Sequence, residues 1–277
     1  MPRSDYNNYI IKNSTDFSFV PHSKRRKIKL LYDNFLYFLF SLLSQLMTNN
    51  TSFAEGRVLM INKPMHWTSF DVVKKIRGLI RIKKIGHAGT LDPLATGLLI
   101  ICTGKFTKKI NEYMGMPKEY TGSITLGAST PTFDLESEPE NKKEIGHLTE
   151  AQIQEATKTF TGAILQMPPQ HSAIKKDGMR LYESARKGIH VKVEPRPVTI
   201  HEFEINKIEG ATIHFRVVCS TGTYIRSLAN DFGETLGVGG YLSSLCRTKI
   251  GNFNVLDAQS IEEFEKEIIS FRVYEKE

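Results

Sequence analysis

The stretch VTIHEFEINKIEGATIHFRVVCSTGTYIRSLANDFGETLG, residues 198–237, decides the fold class. Its first two runs, VTIHEFEINKI and ATIHFRVVCS, are β-rich, alternate in polarity and are separated by Glu209-Gly210, which predicts a hairpin. TYIRSLANDFGETLG (223–237) then reads as an amphipathic helix, with Leu228 and Phe232 on its core-facing side. Elsewhere strands and helices mix without a regular βαβ period. The expectation is an α+β fold: a central, mainly antiparallel sheet flanked by helices, with a cleft for chemistry.

Working outward, RVLMI (57–61), LLIIC (98–102) and EYTGSITLG (119–127) read as strands. Thr68 or Ser69 caps a helix over SFDVVKKIRGLIRI, where Phe70, Val73, Ile76 and Ile80 recur at helical spacing. Further helices are expected from Phe106 to Tyr113, over 149–162, 179–188 and 260–270. Thr149 with Gln152, and Ser260 with Glu263, have the spacing of capping boxes.

The stretch KIGHAGTLDPLATGLLIICTG, residues 84–104, carries the candidate chemistry. Asp92 stands alone among glycines, threonines and small apolar residues. Pro93 biases it out of the helical region, and Gly86, Gly89 and Gly97 allow tight turns and a close ligand approach. A carboxylate so placed either caps a local turn or is met by a distant cation and does chemistry. Arg226 is the matching puzzle. A cation at a helix start opposes the helix dipole, and no acid follows it before Asp231. Either it is a solvated surface arginine or it forks onto Asp92, which would keep that acid ionised and aimed.

The chain has 277 residues, 40% of them hydrophobic and 24% charged, with a formal net charge of +7. Residues 1–54 hold seven Lys/Arg and three Asp/Glu, so much of the excess lies in the tail. The basic body permits a polyanionic partner. The three cysteines have neither zinc spacing nor a C-x-x-C pair, and read as reduced thiols of a cytoplasmic protein. Neither a P-loop nor a dinucleotide fingerprint is present, so no cofactor is expected. HSKRRKIK (22–29) followed by the apolar run 30–47 leaves three readings of the tail open. It is a dispensable extension with Met47 as the natural start, a membrane or surface helix, or a helix packed on the body. The organisation expected is an N-terminal extension over 1–54, outside the fold, and a catalytic domain over 55–277.

G-H-A-G-T-L-D-P-L-A-T-G-L-L, then K-E-Y-T-G (118–122), H-S-A-I-K-K-D-G-M-R-L-Y-E-S-A-R-K-G (171–188) and S-T-G-T-Y-I-R-S-L (220–228) form one set. In order and spacing these motifs resemble the TruB class of tRNA pseudouridine synthases over roughly residues 55–259. The resemblance implies the pseudouridine-synthase fold and conversion of one uridine, position 55 of the tRNA T-arm loop, to pseudouridine. It implies Asp92 as nucleophile, Tyr120 as the ring stacked on the target base, and Arg226 as the partner of Asp92. It further implies His87 at the place the target base leaves, Tyr224 and Leu245 lining the uracil pocket, and Lys63 at the cleft edge.

The implied isomerisation needs no metal, redox partner or ATP. The target base must be flipped out of its stack. Lys175, Lys176, Arg180, Arg186 and Arg196 would meet phosphates. Many members of the class carry a C-terminal PUA-type RNA-binding module. This sequence ends soon after SIEEFEKEIIS, so the expectation is a monomeric, stand-alone tRNA enzyme whose affinity rests on the body. The alternative is a tRNA-binding or tRNA-folding protein that keeps the cleft without catalysis. An intact Asp92, Tyr120 and Arg226 set argues against it.

Overall fold

The computed structural model describes residues 53–172, 174–176, 178–189 and 191–274. The basic leader and apolar run of the tail, and the proposed start at Met47, lie outside them. None of the described helices is long and apolar enough to cross a membrane.

In chain order the elements begin β1 (Val58–Lys63), α1 (Ser69–Ile80), β2 (Ile85–His87) and β3 (Thr96–Thr103). Next come α2 (Ile110–Gly115), β4 (Lys118–Leu126), α3 (Glu150–Thr159) and β5 (Gly162–Gln166). A small subunit of the fold follows: β6 (Lys175–Lys176), β7 (Met179–Arg180) and α4 (Leu181–Arg186). The chain closes with β8 (Arg196–Glu209), β9 (Thr212–Cys219), α5 (Ile225–Thr235), β10 (Gly240–Ile250), β11 (Phe253–Asn254) and α6 (Ile261–Tyr274).

Nine strands form one sheet in the order β1-β3-β10-β4-β9-β8-β5, with β2 on β3 and β11 on β10. All pairings are antiparallel except β3 with β10. The expected α+β fold with a mainly antiparallel sheet is therefore observed. The hairpin is present, closed by the two residues between Glu209 and Thr212, with Gly210 at φ +59°.

Three packed clusters hold the sheet. α5 lays Leu228 and Phe232 on Ile124, Ile213, Phe215 and Val217, and Phe232 meets Phe203 with ring centroids 5.3 Å apart. α1 and α6 bury Val72, Val73, Ile76, Ile261 and Phe264 against Ile61, Leu99 and Ile101. On its other face β3 buries Leu98, Ile100 and Cys102 with Tyr113 and Ile250. β3 is thus covered on both sides, which explains its unbroken apolar run.

Several local expectations are refined. Thr68, not Ser69, caps α1, in a capping box with Asp71. That register buries Ser69, Val72, Val73 and Ile76, and leaves Phe70 60% exposed instead of in the core. The segment 106–113 splits into a 3₁₀ turn (Gly104–Lys109) and α2. Residues 179–180 join a two-stranded ribbon before α4 begins. Both other predicted capping boxes form, at Thr149/Gln152 and Ser260/Glu263.

At the one parallel junction, Gly97 pairs with Arg247 and holds φ +102°. A Cβ there would stand 2.4 Å from the Arg247 carbonyl oxygen, so both the backbone angle and the contact demand glycine. We expect Gly97→Ala to cost at least ~2 kcal/mol, from left-handed strain plus main-chain displacement, lowering Tm by about 5 °C or more in thermal melts. An unchanged Tm would contradict this packing.

Candidate active site

Asp92 sits on the loop joining β2 to β3, and its position is set by main-chain ties on both sides. Leu91 N–H donates to Ser69 Oγ at 2.9 Å, and Ser69 Oγ donates to Leu91 O at 3.2 Å. His66 N–H donates to Pro93 O at 2.8 Å. Lys63 Nζ donates to Trp67 O at 2.6 Å, Pro64 O at 2.9 Å and Pro93 O at 3.3 Å. The loop is therefore pinned at its main chain while the carboxylate stays about one-third exposed toward the cleft.

Arg226, one residue into α5, reaches that carboxylate. Its Nη2 donates to Asp92 Oδ1 at 3.2 Å, and Nε lies 2.9 Å from Oδ2 in an ionic contact without hydrogen-bond alignment. The guanidinium is 4% exposed and has further acceptors: Thr132 O at 3.2 Å and His171 O at 2.9 Å. Asp134 Oδ2 lies 3.5 Å from Nε, and Asp134 is itself buried. Arg226 therefore stands between two carboxylates, one facing the cleft and one sealed behind it. The surface-arginine reading falls.

Tyr120 on β4 lines the same cleft, as do Tyr224, Leu245 and Arg226. The cavity measures about 260 Å³. Burial pushes the Tyr120 phenol up, while the Arg247 charge and hydrogen bond act the other way. Burial likewise raises Tyr224, against a hydrogen bond to Ser172. Gln166, buried at the end of β5, accepts from Tyr224 N–H at 2.8 Å and donates to Tyr224 O at 3.0 Å. This amide clamp fixes the chain as it enters α5, just before Arg226.

Two expected positions differ from the resemblance. Lys63 is fully buried beneath the Asp92 loop rather than at the cleft edge, because its ammonium is needed to gather three carbonyls. Burial lowers its pKa to about 8, with Asp92 opposing and Arg247 reinforcing the shift. His87 lies half-buried on β2, paired with Ile101, and is not among the residues lining the cleft. Arg196 is exposed at the start of β8, while the side chains of Lys175, Lys176, Arg180 and Arg186 lie outside the described residues.

The profile of the TruB family pseudouridylate synthase, N-terminal domain, matches residues 77–225. The tRNA pseudouridine synthase B of Flavobacterium johnsoniae is 54% identical over 223 residues, which cover 78% of this chain and 97% of that protein. This chain belongs to the TruB family of pseudouridylate synthases. The synthase B of Phocaeicola vulgatus is 48% identical over 220 residues, covering 77% of this chain and 93% of its own. Among solved structures, a chain in a Cbf5–Nop10–Gar1 complex is 30% identical with a TM-score of 0.61. The match covers 78% of this chain and 55% of that one.

As a TruB family member the chain is an isomerase, and its geometry offers a carboxylate aimed by arginine beside a buried aromatic ring. Sequence reasoning missed Asp134, Gln166, Lys118 and Arg247. Asp134 lies in TFDLESEPE, a run of acids that looks like a solvated loop. Its one distinguishing signal, the apolar Phe133 and Leu135 beside it, is weak.

Two substitutions separate the two carboxylate contacts. Arg226→Lys is expected to lower the rate of pseudouridine formation at least about a hundredfold, because an ammonium cannot fork between two acids. Asp134→Asn keeps the Asp92 contact and is expected to cost about tenfold, with a lower Tm because the buried cation retains only its partly exposed counter-ion. Single-turnover assays and melts on purified variants check both.

Proposed function

We propose that this protein converts uridine 55 in the T-arm loop of tRNA to pseudouridine, with Asp92 as nucleophile on a flipped base. The observation that carries the reading is Asp92 itself, paired with buried Arg226 and opening into the cleft beside Tyr120. The substrate class is supported by the relatives. Those at about half identity are tRNA pseudouridine synthases, whereas the chain in a Cbf5 complex is 30% identical.

The reaction breaks the C1′–N1 glycosidic bond, turns the uracil and joins C5 to C1′. Asp92 holds the sugar or the base covalently while the ring turns, as a glycosidase carboxylate holds an oxocarbenium centre. The proton on C5 is removed and N1 ends protonated, so the net change is isomerisation with no proton gained or lost. The base reaches the cleft only by leaving its stack, and the Tyr120 ring replaces the lost stacking with about 1–3 kcal/mol. Tyr224 and Leu245 bound the slot in which the base turns.

The test is to incubate the purified chain with unmodified tRNA transcript and map pseudouridine by chemical probing. Modification confined to position 55 is expected; none, or modification elsewhere, overturns the assignment. Asp92→Asn removes the nucleophile but little volume, so tRNA binding should stay within a few-fold while turnover falls at least ~1,000-fold. Residual activity above that level, in protein shown by mass spectrometry to be free of deamidation, would refute Asp92 as the nucleophile.

A further inference from the structure

Arg247 carries a charge that the reaction above leaves unused. It is among the largest fully buried side chains, at 1% exposure, and yet lines the cleft. It stands on β10 at the meeting point of three strands, opposite Gly97 of β3 and Tyr120 of β4. Its hydrogen bonds run to main-chain carbonyls: Nε to Leu98 O at 2.8 Å, Nη2 to Gly89 O at 3.2 Å and Nη1 to Thr90 O at 3.5 Å. Tyr120, its cross-strand partner on β4, lines the same cleft, and the Arg247 charge opposes the upward push that burial gives the Tyr120 phenol.

Burying a guanidinium against neutral carbonyls is costly, and an apolar side chain of similar volume would fill the space more cheaply. The identity of its partners gives the charge a purpose. Gly89 and Thr90 lie just before Asp92, Leu98 lies just after it, and Tyr120 is the ring beneath the cleft. One planar fork therefore holds the chain on both sides of Asp92, from the strand position directly opposite the aromatic platform. Lys118, another buried cation lining the cleft, does not do this: its Nζ is taken by Met114 O and Met116 O, at the end of α2.

We propose that Arg247 is a positioning residue for the isomerisation, setting the distance and angle between the Asp92 loop and the Tyr120 ring. The inference rests on the function proposed above. A loop that shifts by an ångström against the stacked base would lose the attack geometry while still admitting the RNA. The guanidinium meets three spread carbonyls from three separate nitrogens, an arrangement that the single nitrogen of an ammonium would not reproduce.

Single-turnover pseudouridine formation and tRNA Kd should be measured for wild type, Arg247→Lys and Arg247→Gln, with Tm as the fold control. For both variants we expect the rate at saturating tRNA to fall about a hundredfold while Kd stays within about threefold. Arg247→Ala supplied with methylguanidinium should regain at least about tenfold of its lost rate, a response a purely structural arginine would not show. A variant that fails to fold is replaced by Arg247→Lys, which keeps the charge. Rates per folded molecule within about threefold of wild type, a loss confined to Kd, or no response to methylguanidinium would each overturn the proposal. An inactive wild-type protein would instead overturn the function on which it rests, and this inference with it.

Discussion

The Arg226 guanidinium must be neutralised where it is buried, and much of the site follows from that requirement. A cation at 4% exposure leaves the fold little choice but to bring carboxylates and carbonyls to it. Three separate segments answer: the Asp92 loop, the 130–134 stretch through Thr132 O and Asp134, and His171 O. Removing the cleft-facing acid would leave Asp134 as the remaining carboxylate beside the guanidinium. Asp92 is thus also a structural counter-ion, although its partial exposure tempers what the pair contributes to stability.

Backbone strain gathers at the same place. Phe133, directly before Asp134, holds φ +64°, and His66, whose N–H meets Pro93 O, holds φ +66°. Side chains rarely adopt this region, at a cost of about 1–3 kcal/mol each. Both residues are held there by contacts of their neighbours with the site. Leu242 N–H donates to Phe133 O at 2.9 Å, so β10 anchors the segment that delivers Asp134. The same strand carries Leu245 into the cleft and Arg247 beneath the loop, which makes β10 the common support of the site.

Much of this was legible in the sequence, and the exceptions have physical causes. Alternation and turn chemistry exposed the β8–β9 hairpin because one face of that pair is buried and the other is wet, with Arg216 bridging Glu119 and Glu204 on the polar side. The capping boxes were legible because they are local. β10 was not, since GYLSSLCRTKI shows no clean alternation: Ser243 and Ser244 bond Ser123 across the sheet and Arg247 points into the interior. Asp92 and Arg226 stood out as charges lacking local partners. Asp134, Gln166 and Arg247 did not, because each serves a neighbour 50 or more residues away, which no spacing rule reveals. Lys63 was placed at the cleft edge by resemblance, and only three dimensions show it turned inward.

The charges around the cleft are handled in two ways, and the contrast sets Asp92 apart from the other charges there. Lys63 and Lys118 are held by carbonyl dipoles, and burial lowers each to a pKa of about 8. Lys118 takes the last carbonyls of α2, where the helix dipole is negative. Arg247 is likewise bound by carbonyls. Such dipoles are fixed in place and need no reorganisation when a substrate arrives. Of these four described cations only Arg226 contacts carboxylates, and of its two acids Asp134 is buried while Asp92 is partly exposed and lines the cleft. Asp92, contacted by one arginine while the neighbouring cations are bound to carbonyls, keeps part of its carboxylate open to the cleft, as the proposed nucleophilic role requires.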